Sequence, residues 1–97
     1  MSFARALEED RRLAIIRLLA EAPEYQANSS VLQTALEHFA HSVSRDRVHA
    51  DLAWLAEQGL VTIETLFSIQ VATLTQRGLD AASGRALVPG VKRPQPK

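Results

Sequence analysis

The chain has 97 residues, 46% of them apolar, with 11 Lys and Arg against 11 Asp and Glu and no cysteine. This is the core of one small domain, without disulfides, thiolate zinc or thiol chemistry. A formal net charge of zero lacks the basic excess of a protein that lives mainly on nucleic acid, so a DNA-binding surface would have to come from local charge placement.

The first expected element is a helix over 4–22, rich in good helix formers and closed by Pro23. Leu7, Ile15, Leu18 and Leu19 form one apolar stripe at helical spacing, and Leu13, Ile16 and Ala20 a second on another side. A helix apolar on two sides is central in its fold or shared with another subunit. The three-helix core is expected to take the first stripe. Phe3, Leu13, Ile16 and Ala20 are then read as the interface of a homodimer, with the terminal helix as the competing cover within one subunit. Residues 1–10 do not follow the basic-then-apolar order of a signal peptide, and no apolar run reaches bilayer length. The expectation is a cytoplasmic protein without membrane contact.

Glu24–Ala27 reads as a strand stub. Asn28, Ser29 and Ser30 are three N-cap types in a row, and Ser30 with Gln33 fits a capping box. The helix that follows carries Leu32, Ala35, Leu36 and Phe39 at i, i+3, i+4 and i+7 as a buried stripe. Residues 40–43 form the break, with Ser42 and Ser44 both N-cap types. A third helix, from about 44 to 58, directs Val48, Leu52 and Leu55 inward and ends at Gly59, the preferred left-handed stop.

The period then changes. Residues 60–66 and 69–74 are rich in β-branched residues and read as two strands around a Phe67-Ser68 turn, which lacks the Gly or Asn of a favoured hairpin. Thr75 caps a last helix over 76–83, with Gly84 as its stop. The order is helix, helix, turn, helix, hairpin, helix. The expected fold is therefore mainly α with a small β-hairpin, an α+β winged helix-turn-helix. The domain spans 1–86, followed by a flexible Pro-rich basic tail over 87–97.

The segment Val48-His-Ala-Asp-Leu-Ala-Trp-Leu-Ala-Glu-Gln-Gly-Leu-Val61, followed by Ala72-Thr-Leu-Thr-Gln-Arg-Gly-Leu79, resembles the winged-helix transcription regulators of the ArsR- and MarR-like group. It also resembles the short winged-helix proteins of Mu-like prophages. The resemblance covers Phe3 to Gly84 and implies a DNA-binding regulator whose third helix enters the major groove. Residues at the start of such a helix reach base edges; here they are Ser42, Ser44, Arg45, Arg47 and His49. Arg suits guanine, and Ser suits bases or phosphate. Lys92, Arg93 and Lys97 could lie along the backbone as a basic arm.

Other features weigh the other way. Asp46 and Asp51 add negative charge to the third helix, and residues 60–76 contain Glu64 but no Lys or Arg. A winged helix used for protein interaction or phage assembly is the alternative. His38 and His41, beside Glu37, are too few for a metal centre and read as surface or capping residues. Trp54 reads as packing, half-buried against the first helix or the tail. No nucleophile, phosphate loop or ligand motif appears, so neither catalysis nor a cofactor is expected.

Overall fold

The computed structural model describes residues 2–95. Met1, Pro96 and Lys97 lie outside the described residues, and with them the Lys97 part of the basic arm. Four helices and three strands follow in the order α1 (Phe3–Glu21), β1 (Gln26–Asn28), α2 (Ser29–Glu37), α3 (Arg45–Glu57), β2 (Val61–Leu66), β3 (Ile69–Leu74) and α4 (Gln76–Ser83). A single 3-10 turn, Pro23–Tyr25, links α1 to β1. The sheet order is β1-β3-β2, antiparallel throughout. The strand stub thus becomes the third strand of a winged helix.

Each helix start has a side-chain cap, which meets the orphan N–H groups of a first turn. Ser2, Asn28, Ser44 and Thr75 accept from the backbone N–H three residues on. Asn28, not Ser30, therefore caps α2. Gly59 and Gly84 both take positive φ, as their positions past helix ends require.

The core assigns the faces of α1 differently from the sequence expectation. Leu13 (4% exposed) and Ile16 (0%) sit beside Ile15 and Leu19 in one cluster with Leu32, Leu36, Val48, Leu52, Leu55, Leu60, Ala72 and Leu74. Leu7 is exposed and Leu18 only half-buried. Leu13 and Ile16 are thus covered by their own chain and are unavailable as an interface. Ala20 is half-buried and Phe3 exposed. The physical reason is that α1 packs against α2, β3 and α4 together, and this wide contact takes the stripe assigned to a second subunit. Phe39, expected inside, is 55% exposed. Helix α2 stops at Glu37, and Ala40 adopts φ +66°, so the helical spacing that would have buried Phe39 is lost.

Residues 87–95 do not form a free tail. Val88 is buried in the core. The Gly90 carbonyl accepts from Arg12 Nη1 at 3.0 Å, and the Arg12 guanidinium stacks on the Trp54 ring 4.0 Å from its centroid. The Lys92 backbone N–H donates to the Glu9 carbonyl. The segment is a strap running back along α1, and Trp54 packs where expected.

Candidate nucleic-acid interface

Helix α3 starts at the end of a turn tied to α1. His41, expected at the surface or as a cap, is instead buried, with Nε2 2.7 Å from Asp10 Oδ2. The Asp10 carboxyl also meets Lys92 Nζ at 3.2 Å. Burial pushes this carboxyl up, but hydrogen bonds from His41 and Lys92, reinforced by their charges, outweigh burial and hold it below the usual carboxylate range. The residues just before α3 are therefore anchored, and Lys92 is brought to within one carboxylate of them.

Past that anchor, Ser42, Ser44, Arg45 and Arg47 are all exposed. The Ser44 hydroxyl accepts from the Arg47 backbone N–H at 3.1 Å and keeps its own proton to donate. Arg45 Nε donates to Gln33 Oε1 at 2.8 Å, and its Nη2 reaches Ser30 Oγ at 3.3 Å. Arg45 is thereby held across the first turns of α2 and α3. The Arg47 guanidinium has no hydrogen-bond partner among the described residues.

His49 lies one turn deeper and is half-buried, its Nε2 shielded from solvent without a partner among the described residues. It does not join the exposed set. Asp51 is also removed from the surface: it is buried against Arg11 of α1, Nη2 to Oδ1 3.1 Å. Its charge is spent inside the fold, which lifts one of the two objections to an electropositive α3. Arg93 is exposed but lies in the strap, lining a depression with Arg17, Ser83 and Pro94. It is not part of a free basic arm.

The structure adds residues that sequence reasoning missed. Ser29 and Ser30 begin α2, and Ser29 Oγ accepts from the Gln70 backbone N–H at 3.4 Å. Gln33 also holds the turn, its Nε2 donating to the Val43 carbonyl at 3.1 Å. Ser30 touches Arg45 while its neighbour Ser29 touches β3 at Gln70, close to the hairpin turn, so the starts of α2 and α3 and the outer part of the hairpin share one edge of the molecule. The run Asn28-Ser29-Ser30 is the available signal, but in the sequence it reads only as a set of caps. Among the described residues no group of three or more His, Asp or Glu is placed to hold a metal, and no helix is long and apolar enough to cross a membrane.

The protein gp26 of Escherichia phage Mu is 54% identical over 91 residues, a match that covers 94% of each chain. The chain belongs to the family of phage Mu gp26. A protein of Haemophilus influenzae is 43% identical over 95 residues, a match that covers 92% of each chain. No family model matches the sequence. Among solved structures, two complex structures of hsRosR, with the forms designated S4 and S1, superpose with a TM-score of 0.64 at 24% identity. The superposition covers 74% of this chain but only 62% and 63% of those chains. At that identity the likeness concerns the fold, and it agrees with the winged helix described above.

Proposed function

We propose that this gp26-family protein is a small double-stranded-DNA-binding regulator of transcription, acting in the cytoplasm through the exposed start of α3. The observation that carries this reading is the Arg45–Arg47 pair at the first turn of α3. One guanidinium is fixed against α2 by Gln33 and Ser30, and the other is unengaged, with Ser42 and Ser44 beside them. A fixed Arg presents its remaining guanidinium donors, those of Nη1 foremost, with little further loss of rotamer entropy on binding. The helix N-terminus behind it favours phosphate. The ArsR- and MarR-like resemblance and the fold shared with hsRosR support the reading.

Selection of genomic fragments on the purified protein, followed by anisotropy titrations at several salt concentrations, tests it. Arg47→Ala weakens binding and lowers the salt slope by about 1 if Arg47 meets phosphate. Unchanged affinity in both Arg47→Ala and Arg45→Ala rejects this surface.

The functional unit in this reading is a homodimer whose contact differs from the one expected from sequence. Phe39 on the turn and the half-buried Leu18, Ala20 and Leu79 leave an open apolar surface beside the last turns of α1. Arg17 and Glu21 line the same side and form no ion pair among the described residues. An antiparallel pairing of two α1 helices sets Arg17 of one copy against Glu21 of the other, a self-complementary arrangement. Sedimentation equilibrium on wild type and on Phe39→Glu decides. Phe39 is exposed, so the variant folds, and it is expected to be monomeric where wild type dimerises.

A further inference from the structure

The tip of the wing is chemically unlike the rest of the surface. Strand β3 pairs with β1 only from Val71 to Thr73, while its pairing with β2 continues out to Leu66 and Ile69. Residues 65–70 therefore project beyond the third strand as a two-stranded finger. Phe67 at its end is fully exposed, with Leu66 and Ile69 exposed on either side. Phe67 also takes φ +58°. A positive φ at the first of two turn residues is normally met by glycine, and a bulky side chain there is strained. Neither the exposed ring nor the strained backbone contributes to the core, so the fold gives no reason for a phenylalanine here.

Position and charge indicate what the ring meets. The finger's base is bonded to α2 through Gln70 and Ser29, and the adjoining Ser30 bonds Arg45. The finger thus springs from the same edge as the proposed DNA surface. Residues 61–74 contain no Lys or Arg, and Glu64 is exposed, so the finger is unsuited to gripping phosphates. An uncharged aromatic tip suits the apolar faces of stacked bases. The minor groove, about 6 Å wide, excludes a helix but takes an aromatic wedge, which enters between base steps, unstacks them and bends the duplex. We infer that Phe67, flanked by Leu66 and Ile69, is such a wedge, entering the minor groove at a flexible pyrimidine–purine step while α3 occupies the adjacent major groove. This inference rests on the DNA-binding reading above.

The test uses the full chain and a short duplex with a central TA step. The adenine of that step is replaced by 2-aminopurine, and a donor–acceptor dye pair marks the duplex ends. Anisotropy at low salt reports binding, 2-aminopurine brightening reports unstacking, and energy transfer reports bending. Wild type is expected to bind, brighten the base and shorten the end-to-end distance. Phe67→Ala keeps binding through α3 with a loss of about tenfold, within the range of a base-stacking aromatic, and abolishes both other signals. Phe67→Gly, which suits the positive φ, melts at a higher temperature than wild type and loses the same two signals, excluding a misfolded wing as the cause. The wedge is overturned, with DNA binding intact, if wild type binds without brightening or bending, or if both variants behave as wild type. It is equally overturned if they match wild type on DNA but release a protein partner that wild type retains. Absence of binding by wild type in anisotropy overturns the DNA reading and the wedge together.

Discussion

Arg11 of α1 and Asp51 of α3 face one another inside the protein through two hydrogen bonds, with residue exposures of 6% and 2%. The contact raises the pKa of the Arg11 guanidinium above its ordinary value, chiefly through the hydrogen bond to Asp51. The pair locks the helix that carries Arg45 and Arg47 to the central helix of the core. Removing one partner leaves a buried charge without compensation, at a cost of about 3–5 kcal/mol. Asp51→Ala is therefore expected to unfold at much lower urea than wild type. The double variant Arg11→Met, Asp51→Leu recovers most of that loss, because the desolvation cost disappears with the charges. A double variant as unstable as the single one contradicts this account.

Gly78 explains the Leu-Thr-x-x-Gly step that gives the sequence its winged-helix resemblance. A Cβ there would lie 2.1 Å from the Leu60 carbonyl oxygen and 2.5 Å from Leu74 Cδ1. Thr75 secures the same junction: its hydroxyl donates toward the Gly59 and Leu60 carbonyls and accepts from the Gly78 N–H. Gly78→Ala must push α4 off the wing, costing about 3 kcal/mol or more by overpacking. Thermal melting of the variant checks it.

Gly90 holds the strap down. Its φ is +97°, and an added Cβ would lie 2.5 Å from Trp54 Cζ2. Gly90→Ala is expected to lift the strap from Trp54 at a cost of about 1–3 kcal/mol. Trp54 is the chain's one tryptophan, so its emission reports the event directly. The spectrum shifts to the red in Gly90→Ala and in Arg12→Ala, while Arg85→Ala, an exposed substitution, leaves it unchanged.

The Asp10 carboxyl, held below the ordinary range by His41 and Lys92 against the opposing effect of burial, makes stability depend on acidity. The folded protein binds this proton less readily than the unfolded chain. The contribution is therefore complete above the ordinary carboxylate pKa and disappears as pH falls through the lowered folded value. Denaturation followed from neutral to acid pH should show the loss in wild type. Asp10→Asn, already lacking the contribution, has a flatter acid limb. Equal acid limbs in the two proteins would remove Asp10 from the account.

The legible parts of the fold were those written in local pattern. Caps at Ser44 and Thr75, stops at Gly59 and Gly84, the inward set Val48, Leu52 and Leu55, and the strand Ile69–Leu74 depend on neighbours within a turn or two. Three features were illegible because they depend on distant partners. The apolar residues of α1 lie on several sides, and only packing decides that Leu13 and Ile16 go inside while Leu7 stays out. Asp51 reads as a surface charge until Arg11, forty positions earlier, is seen beside it. The strap looked like a solvated tail because its composition has no period, and its anchors are single residues: Val88, Gly90 and Lys92. At the candidate interface, Ser42, Ser44, Arg45 and Arg47 are exposed as expected, but only the structure shows that Ser30 and Gln33 hold Arg45.

The pairing of β1 with β3 has a consequence for how the chain reaches this state. It joins Gln26 to Thr73, 47 positions apart, so α2, α3 and β2 all lie within the loop that it closes. Closing such a loop costs entropy before any contact offsets it, and non-local pairings slow folding. The helices can flicker into shape early, but the sheet edge next to α2 is completed only after β3 has been synthesised and aligned. A nascent chain halted before residue 69 would thus carry the whole of α3 yet lack the strand that fixes the wing to α2, and would expose the apolar faces that β3 covers to other chains.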